Sequence, residues 1–105
     1  MAGAAMTPIA QDDGGWEVQV ESDWPGFAGH FPQHPIVPAA EVVEWALAIA
    51  GPTGGLTRAR FIAPVRPGDC VRLVRAPSSR GMVVVASCAG RTVAELLFAE
   101  VRANG

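Results

Sequence analysis

The chain has 105 residues and a formal net charge of −2 at pH 7; half of its residues are apolar and 17% are charged. That length suits one domain with a modest core, and the charge offers no basic field for nucleic acid. So few charges give thin polar cover for a small monomer, which points to apolar surface hidden against a second subunit.

Residues 1–15 are small and polar and become Gly-rich at Asp12-Asp13-Gly14-Gly15. They read as a mobile tail that ends in a short strand and a turn. The start lacks the basic and long apolar regions of a secretory signal. The longest apolar run, residues 45–50, is far too short to span a bilayer, so a cytoplasmic, soluble protein is expected. Trp16-Glu17-Val18-Gln19-Val20-Glu21 alternates apolar and polar, the pattern of a half-buried strand.

Residues 23–37 follow, with Pro25, Pro32 and Pro35 beside Gly26 and Gly29. Prolines fix φ and remove donors, so this is neither helix nor inner strand. Trp24, Phe27, Phe31, Ile36 and Val37 make it an apolar loop packed in one shape. Pro38 suits the first turn of a helix, and the helix runs over 39–50 until Gly51-Pro52 stops it. It is apolar on nearly every side, which predicts a helix wrapped by the rest of the protein. Four strand-like runs come next, at 56–63, 69–75, 82–88 and 92–102. The turns between them are Pro67-Gly68, Pro77-Ser78-Ser79-Arg80-Gly81 and Ala89-Gly90. Short turns favour antiparallel neighbours. The class is therefore α+β: one antiparallel sheet curled around one central helix.

Two residues stand out chemically. Glu44 lies mid-helix between Val43 and Trp45. Buried there, its carboxyl would be costly when charged and would become a proton donor near neutral pH; otherwise it points into a solvent gap. His30 sits between Gly29 and Phe31 in the stiff apolar loop, where a neutral imidazole can act as a base. His34 is four residues on, but Pro32 and Pro35 forbid the helix that would make a metal pair, so His34 reads as a rim residue. Cys70 and Cys88 have no metal-ligand spacing and read as two reduced, buried thiols.

The stretch Gly29-His30-Phe31-Pro32-Gln33-His34-Pro35-Ile36-Val37-Pro38 resembles the GHFPG-x-P-[IVL]-[ML]-PG signature of the FabA/FabZ dehydratases. That family carries its second catalytic residue, Glu or Asp, fourteen positions after the His, and position 44 is Glu. A second block, Arg60-Phe61-Ile62-Ala63-Pro64-Val65-Arg66-Pro67-Gly68-Asp69, is similar to the family's KF-x-x-PV-x-PGD. Trp45-Ala46 after the acid is similar to the ApeI-like branch. The resemblance covers roughly residues 16–103. The chain departs from it at Gln33 and Ala39, where Gly is usual, and in a shortened N-terminal hairpin; the departures bear on chain-length preference and rate.

The resemblance implies a hot-dog fold, a homodimer joined sheet edge to sheet edge, and sites that take His from one chain and Glu from the other. It implies dehydration of a 3-hydroxyacyl thioester carried on acyl carrier protein or coenzyme A, with no cofactor and no metal. His30 would be the base and Glu44 the acid. The N–H of Ala39, at a helix N-terminus, would meet the thioester oxygen. Phe31, Val43, Trp45 and Phe61 are candidates for the wall of an acyl tunnel, or plain core. Arg58, Arg60, Arg66 and Arg80 are candidates to receive the carrier or a phosphopantetheine phosphate, or scattered solvated charges. Two alternatives stay open: a hot-dog acyl thioesterase, and a non-catalytic partner subunit of a dehydratase.

Overall fold

A computed structural model describes residues 6–27 and 35–101. The elements are β1 (Ile9–Ala10), β2 (Trp16–Gln19), a single 3₁₀ turn (Pro25–Phe27), α1 (Ala39–Ala50), β3 (Leu56–Phe61), β4 (Cys70–Ser78), β5 (Gly81–Cys88) and β6 (Arg91–Phe98). All six strands form one antiparallel sheet in the order β1-β2-β4-β5-β6-β3. No helix among the described residues is long and apolar enough to cross a membrane.

The pleat sorts the strands. Val18, Val71, Leu73, Val84, Ala86, Ala94, Leu96 and Phe98 point to the helix side and are buried. The helix adds Val42, Trp45, Ala46, Ile49 and Ala50. Burial of Val42 and Ile49 contributes about 1.5–3 kcal/mol each. The α+β hot-dog layout is the one expected, and the helix bounds match residue for residue. Pro38 precedes the helix in an extended conformation (φ −60°, ψ 146°), and Gly51 ends it at φ 77°, a value that suits glycine. Helix C-terminal carbonyls need donors. They come from β4, where Arg75 Nη1 donates to the carbonyls of Ile49 and Ala50, 3.2 Å each. The same guanidinium lies 5.6 Å from the Trp16 ring centroid.

Four expectations need correction. First, α1 is not covered all round within one chain: Ala40, Glu44, Leu47 and Ala48 face outward. Alanine and leucine make a helix apolar without forcing every side under its own sheet; a second chain can cover them. Second, the expected tail packs onto the domain from Met6 on, and the short strand and turn expected at its end are present at Ile9–Ala10 and residues 12–13. Met6 is buried, its carbonyl accepts from Trp45 Nε1 at 3.2 Å, and Ile9–Ala10 pairs with β2. Asp13 then bonds Arg72 at 2.8 Å. Third, Cys70 is exposed and Cys88 half-buried, both free; the pleat sets Cys70 on the outer face of β4, beside Glu17, opposite the buried Val71 and Leu73. Fourth, the β4–β5 turn shrinks to Ser79-Arg80, because Ser78 already pairs with Gly81. Pro77 fits a strand there, since β2 pairs only with residues 70–73 and no ladder needs an N–H at 77.

Candidate active site

The described end of the first sequence block, residues 35–38, meets the second block in space. Val37 donates its N–H to the Val65 carbonyl at 2.7 Å, and Ile62 and Ala63 donate to the Val93 carbonyl at 2.8 and 3.3 Å. Pro67-Gly68-Asp69 closes the second block. Gly68 takes φ +88°, and the Asp69 carboxylate accepts the Arg66 N–H at 2.8 Å. This is why a Pro-Gly-Asp run belongs here: a fixed φ, a left-handed residue and an acceptor build one tight turn.

Between the blocks lies an apolar pocket of about 250 Å³, walled by Ile36, Val37, Ala39, Val42 and residues 61–65, with Val93 and Ala94 from β6. Phe61, 46% exposed, and Ile62, 50% exposed, stand at its rim. The N-terminus of α1 opens into it. Pro38 is the N-cap and makes no side-chain cap bond, so the first-turn N–H groups are not consumed by a cap. The Pro38 carbonyl accepts from Glu41 and Val42 instead. The pocket therefore has apolar walls and, in Ala39, the first residue of α1, at the positive end of the helix dipole.

Of the residues singled out in the sequence, the structure brings Ala39 and Phe61 together here. Trp45 does not join them: it is 1% exposed, on the buried side of α1, and bonded to Met6. It is core. Val43 is half-buried against the core and does not line the pocket. Glu44 is exposed. Five residues after Ala39, it is about 7.5 Å along the helix axis and turned about 140° round it. It does not line this pocket. His30, Phe31 and His34 lie outside the described residues. The pocket walls Ile62 to Val65, Val93 and Ala94 were not singled out, although the first four are spelled out in the second motif.

The arginines divide. Arg58, Arg60 and Arg80 line one groove of about 390 Å³ with Ser78, Ser79, Val83, Glu95, Leu96 and Leu97. Arg60 pairs with Glu95 at 3.3 Å. Arg66 is not in it; it stands exposed beside the Gly68 turn. The thiols are poor nucleophiles. Burial, then Asp69 and Cys70, push Cys88 up to about 11, and burial and Glu17 raise Cys70.

The family model described as ApeI-like, ApeI dehydratase, matches residues 8–95. The chain belongs to this family. It is 36% identical over 105 aligned positions to the 3-hydroxyacyl-[acyl-carrier-protein] dehydratase FabZ of Halalkalibacterium halodurans, covering 78% of this chain and 72% of that protein. It is 33% identical to the FabZ of Syntrophotalea carbinolica, covering 68% and 62% respectively. Among solved structures, the dehydratase heterocomplex ApeI:P from Xenorhabdus doucetiae matches with a TM-score of 0.71 at 18% identity, covering 84% of this chain and 86% of that one. That likeness shows the shared hot-dog fold.

Proposed function

We propose that this ApeI-like chain is a 3-hydroxyacyl-thioester dehydratase, acting on substrates held by acyl carrier protein or coenzyme A in cytoplasmic fatty-acid, polyene or polyketide-type synthesis. One observation carries the reading. The described end of the first motif block, Ile36 and Val37, and the second block converge on one apolar pocket that the first residue of α1 also lines.

In the proposed reaction His30 takes the C2 proton of the 3-hydroxyacyl thioester. The electron pair left behind forms the C2–C3 double bond as the C3–O bond breaks. Glu44 gives its proton to the departing hydroxyl, and water leaves. Charge rises on the thioester oxygen during the first step, and the Ala39 N–H is the donor that meets it. Only protons and water move, so the step calls on no metal or redox cofactor.

Ala39 lines the pocket, whereas Glu44 of the same chain is exposed and does not line it. This favours a two-chain site, with Glu44 lent by a second hot-dog chain whose sheet joins at the free edge of β3. The outward Ala40, Glu44, Leu47 and Ala48, with Leu56, Phe61 and Ile62, are the surface such a pair would cover. A total interface of roughly 1,600 Å² or more is expected. Arg58, Arg60 and Arg80, gathered in one groove, are the proposed receiver of the acidic carrier.

The test is an absorbance assay of the purified protein with 3-hydroxyacyl and 2-enoyl thioesters of several lengths. Interconversion of the two is expected. Hydrolysis of saturated acyl thioesters without that interconversion would make the protein a thioesterase. Inactivity alone, with activity on adding a second hot-dog chain, would make it a partner subunit.

A further inference from the structure

The two edges of the sheet are unlike. β1 has two residues, whereas β3 has six and no neighbour on its outer side among the described residues. On β3 the pleat turns Ala59 and Phe61 to the helix side and Arg58 and Arg60 to the other, where they share cross-strand rows with Leu97 and Glu95. Arg80 reaches the same groove from the β4–β5 turn. Glu95 is its one acid, and it is engaged by Arg60 at 3.3 Å.

A second copy pairing antiparallel with β3 must obey a simple rule. Residues directly opposite share a face, so the two-fold axis passes through a residue position. With the axis at Ala59, Arg58 faces the copy's Arg60, twice. With the axis at Arg58 or at Arg60, that arginine faces its own copy. Every register centred on the middle of the strand therefore sets guanidinium against guanidinium. Like charges directly opposite weaken strand pairing, by about two- to fivefold per pair. The neighbouring groove adds Arg80 and offers one acid per chain, which is already shared.

We infer that Arg58 and Arg60 make β3 a selector of partner: it pairs better with a non-identical hot-dog chain carrying Asp or Glu at the facing outward positions than with a second copy of itself. Such a strand turns each repulsive pair into an attractive one, and charged rims act most on the choice between partners. This rests on the edge-pairing reading above.

The experiment compares the wild type with R58Q/R60Q and R58E/R60E, by sedimentation at low salt and by native mass spectrometry of mixtures. R58Q/R60Q should dimerise about 3- to 30-fold more tightly than the wild type, and the gap should shrink in 1 M salt. Wild type mixed with R58E/R60E should form mixed dimers beyond the half share that random assortment gives. If R58Q/R60Q pairs no more tightly, or mixed dimers stay at or below the random share while the proteins remain dimeric, the selector is overturned and edge pairing stands. If all three are monomers, edge pairing itself falls, and the selector with it.

Discussion

Ala39 offers a narrow test of the chemistry, because its N–H can be removed with little harm to the helix. Proline is accepted at the first helical position, and the residue before it must be extended, as Pro38 already is. Ala39→Pro should therefore fold and melt like the wild type, yet lose roughly 10²–10³ in kcat, the usual worth of one oxyanion donor. His30→Ala and Glu44→Gln should each cost about 10²–10⁴ in kcat, and the two losses should not add. Gln keeps the size of the Glu44 side chain, so Glu44→Gln should leave the melting temperature nearly unchanged; a near wild-type rate in that variant would remove Glu44 from the mechanism. Cys88, held at about 11, should alkylate tens of times more slowly at pH 8 than a free cysteine, since little thiolate is present. Asp13 is the acid-side counterpart. The Arg72 guanidinium holds its carboxyl below the ordinary 3.8. A depressed carboxyl contributes stability above the unfolded value, and that contribution is lost as the pH falls through the lowered one. Asp13→Asn should thus lower stability slightly at pH 7 and flatten the acid limb below about pH 4 by the same amount, a small one because the pair is exposed.

At the scale of the element, α1 was the most legible part of the chain. Pro38, the alanine-rich run and Gly51-Pro52 mark its ends with local chemistry, and local chemistry is visible in sequence. What hid was non-local. The sequence shows an apolar helix, but not that its Trp45 side is closed by the Met6 carbonyl while its Glu44 side is left open. Nor does it show that Arg75, 25 residues after the helix, caps its C-terminus. Arg75→Ala should cost about 1–3 kcal/mol, since two carbonyls lose a charged donor, measurable as a lower denaturation midpoint. Arg75→Lys should recover part of it. The β4–β5 hairpin follows the same logic: its residues announced a turn, but the register that trims it to two residues depends on Gly81, where a Cβ would run into the Phe98 carbonyl. Gly81→Ala should displace that corner, and with it Arg80. Arg80→Glu is the cleaner probe of the carrier groove, because Arg80 is not on the β3 edge. It should raise the KM for carrier-borne substrate several-fold and leave that for a small uncharged thioester unchanged.

For the whole molecule, the hot-dog class was legible because each level agrees: alternating strands, tight turns, one long apolar helix and two motifs at the right separation. The candidate site was legible as residue types and only partly as a place. The second motif turned out to be a wall as well as a signature, and five of its residues, 61–65, do the lining. Glu44 could not be placed from one chain, because the side chain does not line that chain's own pocket.

The inequality of the two sheet edges sets a limit on growth. A molecule with two good edges can add copies at both ends and run on into a filament; one with a single good edge closes after one addition. Among the described residues, the six of β3 and the two of β1 have no strand on their outer side. At the β1 end the chain turns at once, with Gln11 bonding back to the Gly15 carbonyl at 2.8 Å. Concentrated solutions should therefore stop at pairs, as far as strand addition goes, and stay clear of fibres. Lengthening β1 by a few β-branched residues should remove that stop and make the protein prone to form them.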